Sequence, residues 1–453
     1  MSFDLKKITR ENVRKMKPYS CARDDFKRVR NDYIFLDANE NPFENEINRY
    51  PDPYQNELKI ILSEKKGVPI HNIFLGNGSD EILDLIFRAF CEPQEDNVIL
   101  LQPTYGMYGV LAQLNGVKCK NVLLNENFDI TPKKINAAIE KNTKIIFICS
   151  PNNPTGNLMS AEKIHSLLKK FSGLIVIDEA YIDFAGIANS WATKIKQYPN
   201  LIVTQTLSKA YGLAGVRLGI CYCSKEIRTV LNRIKPPYNI NTLSEKKAIE
   251  TLKNNAKIKR QINTILTERD RLKNTLKNIS FVEKIYPSNA NFLLVKVDDA
   301  NLRYNQLIKN GIVVRNRTNE PMCKNTLRIT IGTPLENKKL MVACELEEGG
   351  IKIKAPVLTF DKLTKPFGVG GTFTISEIEK HVKGDKKGYT LREIRDVKPS
   401  GIIKISGTAP NYKIEILKID EEQSQDIELY HRTQKVTLHR CFLDRVEMIC
   451  QMP

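Results

Sequence analysis

The chain is poor in the residues that announce a metal centre or a disulfide scaffold. It has one tryptophan and only five histidines (His71, His165, His381, His431 and His439), and none of these forms a ligand motif. Its ten cysteines are scattered. Only Cys221 and Cys223 stand close together; they are expected on opposite faces of a strand, and no second ligand pair accompanies them. Reduced, buried thiols are therefore expected rather than a zinc site. No apolar run approaches the length of a membrane span. The opening Met1-Ser-Phe-Asp-Leu-Lys-Lys7 lacks the apolar core of a signal peptide. A cytoplasmic protein with no metal and no membrane partner is expected.

Acidic residues are also in short supply. Lysine and arginine number 70 against 52 aspartates and glutamates, a formal net charge of +18. Such an excess favours anionic partners, among them phosphates, acidic metabolites and nucleic acid. The lysines are spread along the chain rather than clustered, so a lysine-rich composition explains the excess as well as a nucleic-acid surface would, and nucleic acid is not the expected partner. A chain of 453 residues is too long for one compact core.

What is present is an alternation of apolar runs and periodic segments. A polar, basic arm holding one short helix fills the first 35 residues. A helix is expected from about Gln55 to Lys66 and another after Gly76-Asn-Gly-Ser-Asp-Glu81, reaching Phe90. Strands are expected at 73–75, 98–101, 118–124, 143–149, 174–177, 201–204 and 218–222. They are apolar almost throughout rather than alternating, as in strands buried on both faces of a mostly parallel sheet. From about Glu226 the pattern changes to one long charged helical stretch, Leu243 to Asn278. Strands at 292–297, 311–317 and 326–331, with helices at 300–309 and 337–343, suggest a small α+β domain. Beyond Gly350 come short strands, such as Gly401–Ser406 and Tyr412–Leu417, and helical candidates at Ser376–Val382 and Thr390–Val397.

The polar motifs fall at the carboxyl ends of these strands, where open α/β sheets bind ligands. The stretch Thr206-Leu-Ser-Lys-Ala-Tyr-Gly-Leu-Ala-Gly-Val-Arg-Leu-Gly219 sets Lys209 in a small-residue loop, with Arg217 close behind. A desolvated lysine amine can attack a carbonyl, and an arginine can bind phosphate through two parallel hydrogen bonds. Taken alone, the loop reads equally well as a surface turn with a solvated lysine. Ser79 and Asp80 open a helix, whose free N–H groups suit a phosphate or a plain cap. Tyr105, in Pro103-Thr-Tyr-Gly106, suits stacking on a flat ring or ordinary packing. Asn153 lies between Pro151 and Pro154, which stiffen its loop. Asp178 ends the run Leu-Ile-Val-Ile, where a carboxylate is costly without a partner. A protonated pyridine nitrogen would be one, and Tyr181 follows closely enough to reach a ring hydroxyl.

Together these motifs resemble the fold-type-I, pyridoxal-phosphate-dependent aminotransferases, and within them the histidinol-phosphate aminotransferase family. The resemblance spans residues 5–345. It rests on Leu36-Asp-Ala-Asn-Glu-Asn-Pro42, Arg49-Tyr-Pro-Asp-Pro53, Gly76-Asn-Gly-Ser-Asp-Glu81, Pro103-Thr-Tyr-Gly-Met-Tyr108, Pro151-Asn-Asn-Pro-Thr-Gly156, Asp178-Glu-Ala-Tyr181, Ser208-Lys-Ala-Tyr-Gly-Leu-Ala-Gly-Val-Arg-Leu-Gly219 and Leu327-Arg-Ile-Thr-Ile-Gly332.

The resemblance implies an α/β fold with a mostly parallel central sheet and helices on both faces, plus a small α+β domain; the short strands and helical candidates beyond it read as a C-terminal α+β extension. It implies pyridoxal 5'-phosphate as cofactor, histidinol phosphate and glutamate or 2-oxoglutarate as substrates, and a homodimer. Lys209 would hold the cofactor and shuttle a proton, and Asp178 would pair with the ring nitrogen. Asn153 and Tyr181 would contact the ring oxygen, and Tyr105 would stack on the ring. Ser79, Asp80, Ser208 and Arg217 would surround the phosphate, with Tyr50 arriving from the partner subunit. Arg315 and Arg328 would grip the anionic end of the substrate, near Tyr19 and Asn39. The expected divisions are an arm at 1–45 serving the small domain and dimer, a large cofactor-binding domain at 46–225, a small domain at 226–348 and an extension at 349–453. Alternatives on the same scaffold are a threonine-phosphate decarboxylase or an aromatic amino-acid aminotransferase. An alternative of another class is a regulator with a nucleic-acid-binding tail.

Overall fold

The computed structural model describes residues 3–21 and 34–347 and, beyond them, strands at 357–358, 372–374, 401–406, 413–419, 427–428, 442–443 and 446–450. Contacts divide the chain into two units, Met1–Gly350 and Ile351–Pro453.

The first unit is organised by a seven-stranded sheet: β1 (Ile73–Asn77), β2 (Asn97–Gln102), β3 (Lys118–Leu123), β4 (Thr143–Cys149), β5 (Leu174–Asp178), β6 (Leu201–Thr206) and β7 (Leu218–Tyr222). Their order is β1-β7-β6-β5-β4-β2-β3. Neighbours are parallel except at β7, which runs antiparallel to both β1 and β6. The apolar runs are continuous because both faces are covered. Ile146 and Ile148 of β4 pack into one hydrophobic cluster with Ile175, Ile177 and Leu62. Ile145 and Phe147 pack into another with Val176, Ile86 and Leu231. That is the two-residue alternation of a strand with apolar layers above and below.

Helices Asn56–Lys66, Ala161–Lys170 and Thr242–Lys253 supply the first layer; Gly78–Phe90, Met107–Leu114 and Lys225–Ile234 supply the second. Cys221 and Cys223 lie in the second cluster together. The expectation of opposite faces is corrected: residues two apart in an extended chain share a face.

A second, antiparallel sheet of four strands follows, β8 (Val282–Ile285), β9 (Phe292–Val297), β10 (Arg315–Asn316) and β11 (Thr326–Thr330), in the order β10-β11-β9-β8. Helices Asn255–Leu276, Ala300–Lys309 and Pro334–Glu347 accompany it. The long helical stretch expected from Leu243 is two helices. Asn254 ends the first, and its side chain caps the second by accepting from the Lys257 N–H. The strand expected over 311–317 is only two residues long, because Gly311 adopts φ +72° and Val313 is left exposed. The arm holds two short helices, Leu5–Ile8 and Glu11–Lys15, rather than one. Strand β8 and helix Lys225–Ile234 had no counterpart in the sequence reading.

In the second unit a five-stranded sheet has the order 372–374, 413–419, 401–406, 446–450, 442–443, and 357–358 pairs with 427–428. The helical candidates Ser376–Val382 and Thr390–Val397 lie outside the described residues. Among the described residues no helix is long and apolar enough to cross a membrane.

Candidate active site

Strand ends and the loops after them build one cleft. A cavity of about 130 Å³ is lined by Ser79, Asp80, Tyr105, Asn153, Asp178, Tyr181, Ser208, Lys209 and Arg217, together with Cys149, Ala180 and Thr206. Residues from β4 and β5, from the loop after β6, and from the start of helix Gly78–Phe90 thus converge although they are far apart in sequence.

One end of the cleft is built for an anion. Helix Gly78–Phe90 has no side-chain cap on its first free N–H groups, so neither Ser79 nor Asp80 takes the plain capping role. Glu81 instead accepts from the Asn77 N–H and from Asn239 Nδ2, pinning the turn behind the helix start. Gly78 adopts φ +79°, and a Cβ there would lie 2.9 Å from Arg217 Nη2. Only glycine lets the guanidinium close over the turn. Arg217 itself is left-handed, φ +55°, which for a non-glycine residue stores strain of a kind common at binding sites. Its Nη2 lies 3.5 Å from Asp80 Oδ2. Asp80 also accepts from Tyr105 Oη at 3.1 Å, so its carboxylate orients the arginine and the aromatic ring together.

The other end holds a buried carboxylate with no cation beside it. Asp178 Oδ2 accepts from Tyr108 Oη at 2.7 Å, and Oδ1 accepts from the Ala180 N–H at 3.1 Å. Burial pushes the Asp178 carboxyl above its ordinary range, and these donors, with the hydroxyl of Thr204, its register partner on β6, pull it back only in part. A carboxylate so placed lacks a positive partner. Tyr108 is fully buried and went unnoticed in the sequence, where it closes the Pro-Thr-Tyr-Gly-Met-Tyr run. The signal was its spacing: Tyr105 and Tyr108 are three apart on a helical start, with rings edge to face at 5.5 Å.

Between these ends stands Lys209. It remains exposed to the open cleft, yet the protein packed around it still lowers its amine below the ordinary lysine range. Partial desolvation is the first cause and the Arg328 guanidinium the second; Asp80 and Asp178 oppose them. Its Nζ lies 5.9 Å from the ring centre of Tyr181, which in turn packs edge to face on Phe292 at 5.0 Å.

Arg328, on β11, donates from Nη1 to Asn153 Oδ1 and lies over the Phe292 ring at 5.3 Å, so it sits at the rim of the cleft. Arg315 faces it across the β10–β11 pair but is exposed. Tyr19 and Tyr50 do not line the cleft; they line a separate cavity of about 1190 Å³, and Tyr50 stacks on Tyr238 at 4.4 Å. Asn39, at φ +53°, is exposed outside the cleft. Among the described residues no group of three or more histidine, cysteine or carboxylate side chains is placed to hold a metal.

These residues fit pyridoxal phosphate by their chemistry. An anion cradle lies at one end, a buried carboxylate lacking a cation at the other, and a lysine amine of lowered pKa between them.

A seven-stranded, mostly parallel sheet carrying this cleft at its strand ends is the fold-type-I architecture of the class I and II aminotransferases, and the model of that family matches residues 35–345. The chain belongs to that family, and within it to the histidinol-phosphate aminotransferases. It is 59% identical over 337 residues to the histidinol-phosphate aminotransferase of Flavobacterium johnsoniae, covering 74% of this chain and 96% of that one. The crystal structure of the enzyme of that name from Clostridium acetobutylicum superposes with a TM-score of 0.63 at 29% identity, over 67% of this chain and 91% of that one. The Sinorhizobium meliloti structure, solved in complex with pyridoxal-5'-phosphate, shares the fold with a TM-score of 0.62 at 23% identity, over 66% of this chain and 83% of that one.

Proposed function

We propose that this protein transfers an amino group between histidinol phosphate and 2-oxoglutarate, giving imidazole acetol phosphate and glutamate, a reversible step of histidine biosynthesis. The observation that carries the reading is that the Lys209 amine and the buried Asp178 carboxylate line one cleft. When bound, pyridoxal phosphate supplies an aldehyde that takes up amines and a cationic ring that draws electrons from the adjoining carbon.

The residues divide the remaining work. Ser79, Ser208 and Arg217, with the free N–H groups of helix Gly78–Phe90, bind the phosphate, and Asp80 keeps Arg217 and Tyr105 in place. Asp178 holds a proton on the ring nitrogen, and Tyr108 fixes the carboxylate for that task. Tyr105 would lie against the ring, and Asn153 and Tyr181 would hold its oxygen. Lys209 Nζ binds the cofactor and carries the proton taken from the α-carbon of the substrate. Arg328 and Arg315 bind the anionic end of each substrate; Tyr19 and Asn39, outside the cleft of their own chain, would join them only from a partner subunit.

The proposal extends to the surroundings of the site. Tyr50 lies outside the cleft of its own chain, which supports a homodimer in which Tyr50 of the partner subunit completes the phosphate site. The parts are an arm at 1–45, a large domain at 46–225, a small domain at 226–348 and an extension at 349–453, in a cytoplasmic enzyme.

The test pairs an absorbance spectrum, taken with and without histidinol phosphate, with a 2-oxoglutarate-dependent assay. Native protein should show a bound-cofactor band that shifts on adding substrate. Lys209→Ala should stay folded and lose amino transfer. Turnover near the native rate in that variant would overturn the assignment.

A further inference from the structure

The small antiparallel sheet brings a third guanidinium close to Arg328, and it has no part in the account above. Arg315 and Arg328 are opposed across β10 and β11. Arg317 continues that pairing, its N–H donating to the Thr326 carbonyl at 2.9 Å, so its side chain emerges on the face that Arg315 and Arg328 share. Unlike Arg315, it is largely buried, with 19% of its side chain exposed, and its Nη1 lies 3.2 Å from Glu320 Oε1. The Nε atoms of Arg317 and Arg328 are both buried, and neither has a hydrogen-bond partner among the described residues.

Two desolvated cations with unsatisfied donors are costly to hold. Arg317 is the charge that most depresses Arg328, and it acts on Tyr181 as well, which sets it within electrostatic reach of the cleft floor. Among the described residues, Glu320 is the only carboxylate ion-paired with any of the three arginines. It neutralises one side of Arg317 and leaves the buried Nε without a partner among the described residues. An incoming anion is what relieves both guanidiniums.

The two substrates ask different things of this rim. A phosphate ester brings nearly two charges and three acceptor oxygens. The distal carboxylate of glutamate brings one charge and two oxygens, which a single guanidinium can satisfy. We propose that Arg317 is a specificity-determining residue whose unpartnered guanidinium edge joins Arg328 on the phosphate ester, while Glu320 restrains its charge so that the monoanionic carboxylate does not depend on it. This rests on the amino-transfer reading and assigns to it a residue that separates the two substrates.

The experiment measures steady-state constants for both substrates in Arg317→Gln and Glu320→Gln. Arg317→Gln should raise KM for histidinol phosphate about ten-fold or more, with KM for glutamate changed by less than about two-fold and kcat kept. Glu320→Gln should lower KM for histidinol phosphate, because the unrestrained Arg317 attracts the dianion more strongly. A parallel rise in both KM values, or no change in either, would overturn the role of Arg317. If Arg317→Gln does not fold, Glu320→Gln decides, since an unchanged or raised KM for histidinol phosphate refutes the proposal. Active native enzyme alongside either negative result leaves the amino-transfer reading standing. Native protein unable to use histidinol phosphate would overturn both.

Discussion

The Tyr108 hydroxyl donates to Asp178 Oδ2 at 2.7 Å from a position with no solvent exposure. A carboxylate buried this deeply must be held ionised if it is to pair with a cationic ring. Tyr108 serves one oxygen of it, the Ala180 N–H serves the other, and the Thr204 hydroxyl lies near enough to help. Tyr108→Phe keeps the ring that stacks on Phe147 at 5.1 Å and removes the donor alone. The Asp178 carboxyl should then rise further, because a hydrogen bond favouring the charged form is gone. The expected outcome is a folded protein that binds pyridoxal phosphate about ten-fold more weakly, as befits one lost bond to a charged group. Absorbance titration of cofactor-free protein measures it. Undiminished affinity would show that Ala180 and Thr204 suffice.

Gly78 offers a test of the anion cradle that leaves every charge in place. An alanine there would meet both an unfavourable backbone conformation, φ +79°, and Arg217 Nη2 at 2.9 Å from its Cβ. The backbone strain costs on the order of 1–2 kcal/mol. The greater consequence should fall on Arg217, which must move away from the helix start. Gly78→Ala should therefore lose affinity for pyridoxal phosphate more than for pyridoxal, which lacks the phosphate. Equal losses for the two ligands would place the phosphate elsewhere.

The pH dependence of cofactor capture follows from the neighbours of Lys209. Its amine must be neutral to react, and burial together with Arg328 holds its pKa below the ordinary lysine range. A lowered pKa extends the neutral fraction toward lower pH. Replacing Arg328 by glutamine removes a cation, so the pKa should rise and the acidic limb of the capture rate should shift to higher pH. The rate of cofactor uptake by cofactor-free Arg328→Gln, followed by absorbance from pH 6 to 9, reads this directly. A limb that stays in place or moves to lower pH contradicts the assignment.

Much of this molecule was legible before its structure. The run Thr143–Cys149 is a strand from end to end, and so is Leu218–Tyr222, because uninterrupted β-branched and apolar residues between polar turns leave little choice. The convergence of Asp178, Lys209 and Arg217 was readable because strand ends in an α/β sheet share one edge. Other features depend on contacts that no local pattern carries. The role of Tyr108 comes from meeting Asp178, 70 positions away. The burial of Arg317 accompanies the turn that brings Glu320 against it. The break at Asn254 lies inside a charged stretch with no proline or glycine to mark it.

The extension supplies the last prediction. Every described residue of the cleft and of the arginine rim lies within Met1–Gly350, which is compact by its own contacts. Among the described residues, both apolar layers of the large sheet and the cluster with the small one draw on this unit, through Met341, Ala343 and Cys344 on helix Pro334–Glu347. A chain ending at Gly350 should therefore fold, bind pyridoxal phosphate and transaminate histidinol phosphate at the full-length rate, with an unchanged thermal midpoint for its own transition. Sedimentation and steady-state assays of the shortened and full-length proteins, side by side, make the comparison. If the shortened protein stays soluble but loses cofactor or turnover, residues 351–453 act in the reaction, and the site drawn above is incomplete.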